Sequence, residues 1–79
     1  MNKEDQEHKA FLEQQLELCK KQDRILEEIE SKLYQMKEMA QFTLDHKLTK
    51  IEIEKLNDQL NDLKSEVHLL EKQLHSIVH

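Results

Sequence analysis

The chain has 79 residues, 37% of them charged and 4% aromatic, with a net charge of −5 and neither glycine nor proline. Such a length supports one small domain; the lack of Gly and Pro turn chemistry excludes a β-rich fold and removes the glycine loops that cradle phosphates and dinucleotides. Interspersed charges with an acidic balance argue against nucleic acid or an anionic membrane as partner, and no apolar run approaches the roughly 18 residues of a membrane span.

The first residues, Met1 to Ala10, are polar and charged, which is not the pattern of a secretory signal. A single cysteine, Cys19, leaves no internal disulfide, so the expected location is cytoplasmic. Residues 2–9 are expected to fray, as the first turns of a helix predicted over about 4–45. Along that helix Leu12, Cys19, Leu26, Leu33 and Ala40 recur every seven residues, with Ile29 and Met36 at the second core position and Gln15 and Gln22 in that position earlier. A second row, Phe11, Leu18, Ile25 and Met39, runs beside the first and is interrupted by Lys32. The apolar face is therefore wider than one partner helix needs, and a face that wide touches more than one neighbour.

The pattern breaks after Ala40. Continuing its frame places Thr43, Lys47 and Lys50 at core positions, and the next seam begins at Ile53 with its phase slipped by one. Thr49 and Glu52 have the spacing of a capping box, with Leu48 and Ile53 at the staple positions around it. A turn over about 45–49 and a second helix over about 50–78 follow. His46 and Lys47 suit the negative end of the first helix. Without a glycine there, Asp45 or His46 is expected to take the left-handed conformation.

The second helix carries the clearest signal in the chain. Ile53, Leu56, Leu60, Leu63, Val67, Leu70, Leu74 and Ile77 are spaced 3, 4, 3, 4, 3, 4, 3, a stripe that must be covered by another helix. A parallel copy of itself is disfavoured because Glu66 would meet Glu71 of the other chain. An antiparallel partner within the chain fits: Ala40 meets Leu56, Met36 meets Leu60, Leu33 meets Leu63, Ile29 meets Val67, Leu26 meets Leu70 and Cys19 meets Ile77. These pairs centre on residue 48, where the capping signal independently places the turn. The expected fold is all-α, an antiparallel two-helix hairpin occupying the whole chain, with one unbroken helix as the rival. The first helix outruns the second, leaving Phe11, Leu12, Leu18, Ile25 and Met39 to bind a further helix. Two hairpins closing into a four-helix bundle is the simplest way to cover them.

Little in the chain suggests chemistry. His75 and His79 share a helix face and His68 lies one heptad before His75, but no Cys or carboxylate completes a four-ligand set, so these histidines read as solvated and no metal or cofactor is expected. Cys19 reads as a small buried hydrophobe. Tyr34 and Phe42 lie off the seam, partly covered by their neighbours.

Two resemblances cover residues 29–67. The run Met36-Lys37-Glu38-Met39-Ala40, followed by Leu48-Thr49, Leu56-Asn57, Leu63 and Glu66-Val67, resembles the N-terminal helical segment of bacterial flagellins. That likeness implies a structural element which assembles with other components, although the pairing C-terminal helix and a Gly-containing turn have no counterpart here. Asn57-Asp58-Gln59-Leu60-Asn61 resembles the Ser-Gln-Glu-Leu-Asp segment of the small aspartyl-phosphate phosphatases that regulate sporulation. It keeps the leucine, has Asn61 in place of the terminal aspartate, and lacks the turn glycine. That likeness implies a hairpin that binds a response regulator with impaired turnover. The residues themselves favour a non-enzymatic, self-associating protein-interaction module, its partner unspecified.

Overall fold

The computed structural model describes residues 2–77. Two α-helices, α1 (Lys3–Asp45) and α2 (Lys50–Ile77), fold back on each other as a hairpin measuring 70 × 18 × 13 Å. At about 1.5 Å per residue, the 43 residues of α1 account for nearly all of the long dimension. Both helices are rich in the helix formers Leu, Glu, Gln and Lys and are uninterrupted by Gly or Pro.

The helix ends follow from their caps. Asn2 is extended, and its Oδ1 accepts the Asp5 amide at 2.8 Å, while Glu4 and Asp5 lie in the first turn where the helix dipole favours acids. Helix therefore forms from Lys3 in the stretch expected to fray. At the other end His46 is extended, and no described residue has positive φ. The left-handed residue expected at Asp45 or His46 is absent. Instead His46 lies 3.0 Å through Nδ1 from the Phe42 carbonyl, an interaction that satisfies one of the orphan acceptors of the last turn when Nδ1 carries hydrogen, and its ring stacks on Phe42 at 4.0 Å. The chain reverses over 46–49 and α2 opens on the expected capping box. Thr49 Oγ1 accepts the Glu52 amide at 3.2 Å and Glu52 Oε1 accepts the Thr49 amide at 3.4 Å. Leu48 is half-buried beneath this turn.

The seam of α2 is the one its spacing predicts. Val67 and Leu70 are buried, and Leu56, Leu60, Leu63, Leu74 and Ile77 are half-buried; Ile53, beside the connection, is exposed. The seam of α1 differs from the expected one. Its covered residues are Gln22, Ile25, Ile29, Lys32, Met36 and Met39. Ile25 is 6% exposed, whereas its neighbour Leu26 is 43% and Leu33 is 50% exposed. Cys19 and Ala40 are exposed as well. Of the residues assigned to the α1 core, Ile29 and Met36 lie in it and Cys19, Leu26, Leu33 and Ala40 do not. Ile25 and Met39, assigned to a free face, lie in it instead.

Lys32 explains the exchange. A lysine in the middle of a row reads as a break, but its aliphatic stem packs along the seam while its amine reaches the rim. There Nζ meets Glu66 Oε2 at 2.8 Å, the Lys32 side chain remaining 27% exposed. Lys32 and Glu66 stand equally far from Thr49, so this pair also reports the register of the hairpin. With α1 rotated this way the one-residue phase slip disappears for one row of the seam. Ile25, Lys32, Met39, His46, Ile53, Leu60, Val67 and Leu74 form one unbroken series of every seventh residue, passing straight through the connection.

Candidate helix-docking face

The feature most open to a partner is the side of α1 that α2 leaves uncovered. From Asn2 to Lys21 every residue is exposed, because Gln22 is the first residue of α1 that α2 covers. Phe11, Leu12, Leu16 and Leu18 lie in this stretch, with Phe11 55% and Leu12 52% exposed. The uncovered row does not stop there. Leu12, Cys19, Leu26, Leu33 and Ala40 share one side of α1 along most of its length, all exposed. Near the connection this row runs into a groove walled by Ala40, Thr43 and Leu44 from α1 and by Ile53, Leu56, Asn57 and Leu60 from α2. On the opposite side Met39, Phe42 and Leu56 line a second groove with Gln35 and Glu38.

This face arises from the composition of α1. Two adjacent rows of every seventh residue are both largely apolar, and one α-helix can cover only one such stripe. Once α2 has taken the Ile25–Lys32–Met39 row, the Leu26–Leu33–Ala40 row remains in water. Of the residues singled out for docking, Phe11, Leu12 and Leu18 are exposed as expected, and Ile25 and Met39 are spent inside the hairpin. Leu26 and Leu33 are the docking candidates that sequence reasoning placed in the core; the width of the α1 face was the signal for them, but not for which row α2 would choose.

The polar groups offer ordinary surface chemistry. Lys20 Nζ and Glu17 Oε1 make an i, i+3 pair at 3.7 Å, and Gln41 Nε2 donates to Asp45 Oδ1 at 3.1 Å. Thr43 Oγ1 donates to the Met39 carbonyl within its own helix. Among the described residues no three His, Cys, Asp or Glu side chains come together as a metal-holding group. His79, half of the histidine pair noted in the sequence, lies outside the described residues, as does the predicted helical position 78. Cys19 is a surface thiol rather than a buried one, Tyr34 is 60% exposed, and Phe42 is covered on one side by the His46 ring. No described helix is long and apolar enough to cross a membrane.

No protein-family model, no curated protein and no solved structure matches the chain.

Proposed function

We propose that this protein is a non-enzymatic helical interaction module that associates with copies of itself through the exposed α1 row, two hairpins closing into a four-helix bundle. The observation that carries this reading is that row: Leu12, Leu26 and Leu33, each about half exposed, continue along one side of a helix whose other apolar row is already covered. Contiguous apolar surface of this kind marks interaction sites, and a helix-in-groove contact reads anchors at this spacing. The apolar grooves beside Ala40 and Ile53 extend the same surface toward the connection.

Light scattering over a dilution series tests the proposal. A dimer or tetramer is expected, with Leu26→Glu and Leu33→Glu each reducing it to monomer while circular dichroism stays helical. A folded monomer at every concentration overturns self-association.

A second reading rests on the likeness of residues 57–61 to the sporulation phosphatases. It is favoured by the placement of Gln59, exposed in mid-α2 of a two-helix hairpin with Leu60 turned into the seam. Under it the protein binds a phosphorylated receiver domain. Binding that is lost in Gln59→Ala supports that reading, and the absence of any receiver binding removes it.

A further inference from the structure

We infer that two copies of this chain exchange their α2 helices, the connection 46–49 straightening so that each chain becomes one long helix lying antiparallel to the other. This inference goes a step beyond the bundle proposed above, since it names a second mode of association that leaves the Leu26–Leu33 row uncovered.

Three observations lead to it. The connection contains no residue whose conformation is closed to a helix: no glycine, no proline and no positive φ. Short hinges of this kind are where exchange of an identical element between protomers occurs. The series of every seventh residue from Ile25 to Leu74 runs through His46 without a change of phase, so in a straightened chain this row continues through the connection, while the second row (Gln22, Ile29 and Met36, then Leu56, Leu63 and Leu70) slips by one residue. A hinge whose two helices were out of phase on the Ile25–Leu74 row as well would twist its partner stripes away from each other. Finally, every contact of the hairpin re-forms in trans at the same register, including Lys32 with Glu66 of the other copy. What is given up is the capping box of Thr49 and Glu52 and the cover over Leu48.

Exchange joins two chains, so the hairpin is the form at low concentration and the exchanged dimer the form at high concentration.

Cross-linking between chains tests this directly. One chain carries Cys19→Ser with Lys32→Cys, the other Cys19→Ser with Glu66→Cys. The two are mixed at high concentration, annealed by heating and cooling, and treated with a short bis-maleimide. A covalent 32–66 heterodimer is expected as the main product. Its yield should rise with concentration and fall about tenfold when both chains carry Lys47→Gly, because glycine disfavours continuous helix through the connection. Absence of the 32–66 product while light scattering still reports a dimer overturns the exchange and leaves association through the α1 row standing. A 32–66 product unmoved by Lys47→Gly overturns it too, since the connection then plays no part. A monomer throughout the series overturns both readings, and a dimer that survives Leu33→Glu with the 32–66 product retained removes only the α1 row.

Discussion

Ile25 and Leu26 are neighbours of nearly equal size, yet they serve different surfaces, and this difference is open to measurement. Ile25 is 6% exposed and Leu26 43% exposed. Ile25→Ala is expected to destabilise the hairpin by about 2 kcal/mol, the low end for a buried aliphatic because the two-helix seam is shallow. Leu26→Ala is expected to cost the hairpin well under half of that and to weaken association instead; urea unfolding at low concentration and light scattering at high concentration separate the two effects. Glu66→Ala should cost no more than about 1 kcal/mol, since an ion pair open to water contributes little. The wrong assignment of these residues from sequence has one source, Lys32. A charge at a core position in a globular domain is a strong argument against that row, but a seam one helix wide has water on both sides. The amine of Lys32 needs to travel only the length of its own stem to reach Glu66. Nothing in the sequence ranks a row of Ile, Lys and Met against a row of Leu, Leu and Ala until the exposed rim is taken into account.

The elements themselves were far more legible. The α2 stripe alternates by threes and fours without an error, and the boundary between the helices is written in the Thr49–Glu52 spacing, which the reciprocal bonds of the capping box realise. Thr49→Ala is therefore expected to lower stability by about 1 kcal/mol in urea unfolding. Asn2→Ala at the start of α1 removes a bond of the same kind, but no tertiary contact depends on it. Its effect should be confined to faster amide exchange in the first two turns, with the unfolding midpoint unmoved. The expected fraying of this end missed Asn2 because a lone asparagine before a polar run carries no hydrophobic staple to mark it. The expected left-handed stop after α1 failed for a different reason. An extended residue with a stacked ring, His46 on Phe42, ends a helix without any positive φ.

At the scale of the whole molecule, the hairpin has two levels of protection. Residues before Gln22 stand outside the cover of α2, so in the monomer their amides should exchange faster than those around Ile25 and Val67. Association through the α1 row should slow the exchange of residues 11–19, so hydrogen exchange at two concentrations checks the proposed docking face without any substitution. The antiparallel arrangement also gives the molecule a direction-dependent response to load. Tension applied between Gln22 and Ile77, which sit side by side at the open end, parts the layers one after another and meets only a few side chains at a time. Tension applied along the 70 Å axis, between Gln22 and the connection, runs through α1 alone, because the connection joins directly to its end, so it loads the hydrogen bonds of that helix and leaves the seam closed. A body two helices thick is thus a weak clasp when peeled and a stiff strut when pulled along its length.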